Sequence, residues 1–306
     1  MSEWSSGAGM GGGTAKRTIS VGGLGGSGTR VFANLLRGCG FYLGSDLNAA
    51  LDNLWFTLIF TRRSILLEPP EALADLVDLF VRRMTGGDVS GHPALERVVR
   101  LADTGRLLHE ADWLSQRLKA LQAPDQIPHN ADVPWGWKAP NTHVVVDRLL
   151  TVMPNLHYIH VVRDPYYMAF SANRNQLSIW GGVFLDRDVR MRPDDALAYW
   201  CAANVRMERI QARFPGRVMF ASYDRLCLSP RDEIGRIVDF VLPGTPTDMA
   251  AELQGVVSME RLTRPSPEHL DFPFDGRLRK TAEDFCSRHF APNGDRSTSA
   301  VLGGSS

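Results

Sequence analysis

The stretch TISVGGLGGSGTR, residues 18–30, constrains the fold more than any other part of the chain. A β-branched run is followed by a turn with five glycines within residues 22–28, and then by a segment of helical spacing. The pattern predicts a strand over 17–21 and a helix over 29–39, with Val31, Leu35 and Leu36 on its apolar face and Gly38 and Gly40 ending it. Glycines between a strand and a helix let backbone N–H groups converge on an anion, and the helix dipole adds positive potential at the same point. A phosphate or sulfate held by Ser27, Gly28, Thr29 and Arg30 is the expectation.

The loop by itself leaves its ligand open. Gly23-Leu24-Gly25-Gly26-Ser27-Gly28 fits the G-x-G-x-x-G turn of dinucleotide-binding domains. A nucleoside-triphosphate loop of the G-x-x-x-x-G-K-[ST] type needs Lys and then Ser or Thr after its last glycine; here those places hold Thr29 and Arg30. An NAD(P)-dependent Rossmann oxidoreductase needs an acid about 20 residues on, and Asp46 meets that spacing. A helical stretch follows where a further strand–helix alternation belongs, which weighs against it.

Downstream, residues 50–122 read as helices without a strand signal, including PPEALADLVDLFVRRM and HPALERVVRLADTG, each with proline near its start. Alternation then resumes. A short strand is expected over 135–138, a helix in THVVVDRLLTVM, and a buried strand over 156–162. A helix through PYYMAFSANRNQL, a long helix over 193–214 and a strand over 217–223 follow, then a helix with Ser229 as N-cap and Pro230 at its first position. The predicted fold is α/β, a central parallel sheet flanked by helices with a helical insertion at about 50–122. One domain spans 17–290, between Gly/Ser-rich tails at 1–16 and 291–306 that are expected to be disordered.

Composition narrows the partners. Thirty-four basic residues balance 34 acidic ones, so no global field favours nucleic acid or an anionic membrane. The four cysteines are far apart, with no C-x-x-C and no zinc-like Cys/His spacing, so reduced thiols and no metal are expected. The N-terminus lacks the apolar core of a signal peptide, and the longest apolar run is far too short to span a bilayer. A cytoplasmic protein is the expectation.

Further motifs carry a resemblance. VGGLGGSGTR is similar to the 5′-phosphosulfate loop of sulfotransferases that use 3′-phosphoadenylyl sulfate (PAPS): the tyrosylprotein type carries V-G-G-x-x-x-S-G-T, and heparan-type loops end in G-T-R. In HVVRDPYYMAFSANR, Arg163, Asp164, Pro165 and Ser171 match the family's 3′-phosphate element, R-[DN]-P-x-x-x-x-x-S. Chemically this fits, because a guanidinium fork and a hydroxyl suit phosphate oxygens. WKAP resembles the K-x-P element in which the lysine, here Lys138, faces the transferred group. ASYDRLCLSP resembles a Y-E-x-L-x-x-x-P segment that brings Tyr223 near the nucleotide, and GRLRK offers Arg279 and Lys280 as a basic segment closing over it.

The resemblance implies a P-loop-like sulfotransferase fold and PAPS as co-substrate. It implies that Gly25, Gly26, Ser27, Gly28, Thr29 and Arg30 hold the phosphosulfate, while Arg163 and Ser171 hold the 3′-phosphate. Gly26 stands where related loops carry Lys or Arg, and Arg30 is the expected substitute cation.

Sulfuryl transfer to a hydroxyl needs a proton acceptor. The family places a Glu shortly after the first helix, but this chain has no Glu between Arg30 and Arg63. Asp46 is the first candidate and Asp52 the second; their structural alternatives are an N-cap for a helix over 47–60 and a solvated helix face. His109, His129 and His143 are candidates with no supporting motif, and Arg174 is expected to be a solvated helix residue. Trp55, Phe56 and the helical insertion are expected to line the acceptor cleft or pack as core. Carbohydrate, peptide and small-molecule acceptors all remain open, as do the oxidoreductase and a nucleotide-binding protein without turnover.

Overall fold

The structure is a computed structural model that describes residues 16–102, 109–123, 133–245, 248–254 and 267–290. The tails expected to be disordered lie outside the described residues except for Lys16, as does His129.

Four strands form one parallel sheet: β1 (Thr18–Gly23), β2 (Gly136–Lys138), β3 (Leu156–Val162) and β4 (Val218–Ser222), in the order β2-β1-β3-β4. The register pairs Val21 with Lys138 on one side and with Ile159 on the other. The chain leaves β1 for β2 on one side, then crosses to β3 on the opposite side. The strand order therefore reverses between β1 and β3, and in open α/β sheets ligands bind beyond the carboxyl ends of the strands at such a reversal.

Helix α1 (Thr29–Gly38) leads into an isolated bridge from Tyr42 to Trp135 rather than a second strand. The strand end that a Rossmann domain would use to present Asp46 is thus not formed. The insertion consists of α2 (Leu54–Phe60), a 3₁₀ turn (Arg63–Leu67), α3 (Pro70–Met84), α4 (Pro93–Ala102) and α5 (Ala111–Gln122). Trp55 and Phe56 are fully buried, with Phe56 stacked on Trp137 at 5.6 Å between centroids, so both belong to the core and not to a cleft wall.

After β2 comes α6 (Thr142–Val152); after β3 come α7 (Pro165–Ala169), α8 (Asn175–Leu185) and α9 (Pro193–Arg213). After β4 come α10 (Tyr223–Leu228), α11 (Pro230–Val241), α12 (Asp248–Gln254), α13 (Pro267–Asp271) and α14 (Gly276–Phe290). Ser229 stands at the N-cap of α11 as expected, yet its side chain caps nothing; the serine that caps is Ser222, which accepts from Arg225 N in α10.

Strand period divides the core in two. Ile19, Val21, Ile159, Val161, Met219 and Ala221 face α1 and α11, while Leu156, Tyr158, Val218 and Phe220 join the larger cluster on the opposite face. Both faces of the sheet are therefore buried, as parallel strands require. Among the described residues no helix is long and apolar enough to cross a membrane, and no group of three or more His, Cys, Asp or Glu is placed to hold a metal ion.

Candidate functional site

The glycine turn reaches α1 with Gly28 at the N-cap, φ 89°, and no side chain capping the helix. Val31 N donates back to Gly28 O at 3.0 Å, and the N–H groups ahead of it at the start of α1 have no acceptor one turn back within the helix. Two glycines are fixed by contact. A Cβ on Gly28 would lie 2.2 Å from the Tyr223 ring, and one on Gly26, at φ 95°, would lie 3.0 Å from Ser171 Oγ. At Gly26 the left-handed backbone strains any side chain, and Ser171 Oγ stands beside the place a Cβ would take. Ser27 is 1% exposed, and its Oγ has no hydrogen-bond partner. A buried polar atom without a partner is uncommon and calls for an explanation.

Arg163, one residue past β3, sits between the rings of Tyr167 and Tyr223, with its guanidinium carbon 3.7 and 4.5 Å from their centroids. Nη1 donates to Gly26 O at 3.1 Å, while Nε is buried and unpartnered. Asp164 does not pair with it; its Oδ1 instead accepts from Tyr167 N to cap α7.

The expected single helix through residue 177 is split, and Ser171 lies in the break between α7 and α8, not within a helix. The break has a local cause. Arg174, expected in solvent, folds back and donates to Met168 O and Ala169 O, satisfying the carbonyls at the end of α7. This segment presents Ser171 to Gly26, and Ser171 Oγ accepts from Asn173 N at 3.2 Å.

Lys138 ends β2, is 2% exposed, and donates to Ala50 O at 3.0 Å and to Asp52 Oδ1. Burial holds its pKa below the ordinary lysine value; the Asp52 charge pushes it back up, and nearby Arg30 pushes it down. Asp52 stands in a turn built by Asn48, whose Oδ1 accepts from Ala50 N and Asp52 N and whose Nδ2 donates to Asp52 Oδ2 at 2.9 Å. Asn48 escaped the sequence reading, although an Asn whose side chain accepts from the backbone two residues on, here from Ala50 N, is a common turn former. The helix expected to begin at 47 begins at 54, with Asn53 accepting from Phe56 N as its cap. Asp46 is therefore not that cap. Its carboxylate is instead engaged by Arg117 of α5.

Other expected residues lie apart from the loop contacts. Arg279 donates to Leu270 O and Phe272 O and packs over Tyr166 and Phe274; Lys280 is exposed and pairs with Asp284. His143 is fully buried and pushed down to about 4, donating to Pro140 O through Nδ1 and accepting from Tyr199 through Nε2. His109 stacks on Trp113 at 3.8 Å. A cavity of about 360 Å³ opens beyond the carboxyl ends of β3 and β4, lined by Arg163, Asp164, Ser222, Asp224, Cys286 and Phe290.

The geometry thus assembles two polar clusters at the strand reversal. One is the loop with Arg163, Ser171 and Tyr223; the other is Lys138 with Asp52 and Arg30. Comparison with known proteins finds that the model of the sulfotransferase family matches residues 19–246. No curated protein matches the sequence. Among solved structures, a sulfotransferase from Mycobacterium avium is 16% identical, with TM-score 0.46, covering 90% of this chain and 77% of that one. The sulfotransferase domain of the Synechococcus PCC 7002 olefin synthase is 17% identical, with TM-score 0.43 and coverage of 88% and 94%. A retinol dehydratase solved with androsterone and the inactive cofactor PAP is 12% identical, with TM-score 0.35 and coverage of 92% and 82%.

Proposed function

The chain belongs to the sulfotransferase family, and on that premise we propose that it transfers a sulfuryl group from PAPS to a hydroxyl or amine of a carbohydrate, peptide or small-molecule acceptor. The observation that carries this reading is the contact between the two anion elements. Ser27 Oγ lies buried without a partner in the glycine loop, and the neighbouring Gly26 touches both Ser171 and Arg163. A ligand with two anionic groups on one sugar fits a pair of elements that meet at Gly26. The unpartnered Ser27 Oγ and Arg163 Nε are the atoms it would satisfy.

PAPS, when bound, supplies the sulfuryl group, and adenosine 3′,5′-bisphosphate (PAP) departs with the electron pair of the broken S–O bond. The residues of the chain do the rest. The α1 N-terminus, Ser27, Thr29 and Arg30 hold the 5′ anion, and Arg163 and Ser171 hold the 3′-phosphate. The cavity beyond β3 and β4 has room for the nucleoside.

Asp52 takes the proton of the acceptor. It is preferred to Asp46 because it touches Lys138, whereas Asp46 is engaged by Arg117. Lys138 orients Asp52 through their ion pair, and with Arg30 it places positive charge where negative charge grows as the bond breaks.

Calorimetry tests the reading. PAP should bind about ten- to a hundredfold more tightly than AMP, the size expected of one net charge-assisted hydrogen bond in a buried site. Arg163→Ala should erase that preference. Equal affinity of the wild type for PAP and AMP would sink the proposal.

A further inference from the structure

The glycine loop is gripped by a residue that no motif singled out. Gln176, the second residue of α8, is 5% exposed. Its Oε1 accepts from Gly25 N at 2.7 Å, and its Nε2 donates to Gly23 O at 3.3 Å. One side-chain amide therefore bridges the loop from the end of β1 to its second turn, much as a neighbouring strand would. Asn173, three residues earlier, packs against Gly25, where an added Cβ would meet its amide at 3.0 Å. Arg163 holds the next carbonyl, Gly26 O. Three side chains from residues 163–176 thus fix the backbone of residues 23–26.

We propose that Gln176 is a positioning residue that ties the 3′-phosphate segment to the 5′-phosphosulfate loop; this rests on the PAPS reading above. Gly25 N–H and Gly23 O point to Gln176, while Ser27 N and Val31 N donate within the turn and helix start to Leu24 O and Gly28 O, so the ligand is left to the other N–H groups of the turn. The space between Gln176, Gly25 and Asn173 is about 20 Å³, enough for one water and too small for any part of a nucleotide. Gln176 therefore acts through the loop and not on the ligand. The link also compensates for the absent cation at position 26, because a loop held in one conformation loses less entropy when the anion binds. It follows that occupancy of the Arg163–Ser171 end and order in the loop are coupled through one short piece of chain.

The test measures affinities of the full chain by calorimetry for PAP, AMP and adenosine 3′-phosphate, beside thermal melts. Gln176→Leu keeps the bulk and removes both hydrogen bonds. It should weaken PAP and AMP about tenfold, the size of one buried hydrogen bond, and leave adenosine 3′-phosphate unchanged. Gln176→Glu keeps the acceptor for Gly25 N–H but loses the donor and adds charge beside the anion. It should weaken PAP and AMP more than the leucine does, and recover relative to wild type as the pH falls and the carboxyl regains a proton.

A 5′-phosphate contribution unchanged in both variants overturns the role of Gln176 alone. An equal loss for all three ligands, with a lower melting temperature and no pH recovery, shows a merely structural residue and also overturns it. A wild type that binds PAP no better than AMP overturns the PAPS reading and this inference with it.

Discussion

Strand β3 places two buried polar side chains three residues apart and provides for them in opposite ways. His160 lies within the strand, fully buried, and each of its ring nitrogens has a partner. Asn204 directs its Nδ2 to Trp200 O, so its Oδ1 accepts from His160 Nε2–H, and Tyr158 OH donates to Nδ1. Arg163 lies just beyond the strand, is also buried though less completely, and keeps Nε unpartnered, with Ser27 Oγ unpartnered in the loop. Low dielectric makes an unmet polar atom expensive and a met one secure. The satisfied network around His160 is therefore structure. The unsatisfied atoms at the loop are those the proposed ligand would satisfy. Both side chains are polar and buried, and hydrogen-bond satisfaction is where these two regions differ.

The largest expected effect lies on the reactive side. Asp52→Asn should lower turnover by about a hundredfold or more, followed as PAP released from PAPS with a mixture of phenol and sugar acceptors. The same change removes the charge that raises the Lys138 pKa, so the alkaline limb of any remaining activity should move to lower pH. Turnover within a few-fold of wild type would leave Asp46 as the carboxylate to examine.

The comparison itself is sharpened by a crossed pair of substitutions. Ser27→Ala removes an unmet hydroxyl, so the melting temperature should hold or rise while PAP affinity falls about tenfold. Tyr158→Phe removes a met one, so stability should fall by about 1–2 kcal/mol while PAP affinity holds. If both variants lost stability and neither lost affinity, the distinction between the two regions would collapse.

A further effect concerns acid. Burial lowers the pKa of His143 to about 4 and of His160 to about 3, from 6.5 in the unfolded chain. Below 6.5 the unfolded chain takes up protons that the folded one refuses, so stability should fall as the pH drops through that value and on toward 4. A melting temperature flat across that range would mean that the two rings are open to water.

Much of this was legible in the sequence, and the reason is local. Glycines at Gly26 and Gly28 announce left-handed backbone, and β-branched runs such as residues 156–162 announce buried parallel strands. Spacing put Arg163 at the end of a strand and Lys138 at the end of another, because strand period and chain reach set those places. The break that frees Ser171 was not legible. It arises from Arg174 folding onto carbonyls of the preceding turn, a choice that propensity does not record.

The sequence by itself determined the α/β class, the anion-ready turn and most of the polar residues beyond the strands, though not Asn48 or Gln176. Only the tertiary structure decided which of them meet: Asp52 with Lys138, Asp46 with Arg117, and Gln176 with a loop 151 residues earlier in the chain. Local order follows from backbone sterics and side-chain period, which act over a few residues. The pairing of charges and amides follows from how the strands are ordered in the sheet, which brings distant side chains to one side of the reversal between β1 and β3.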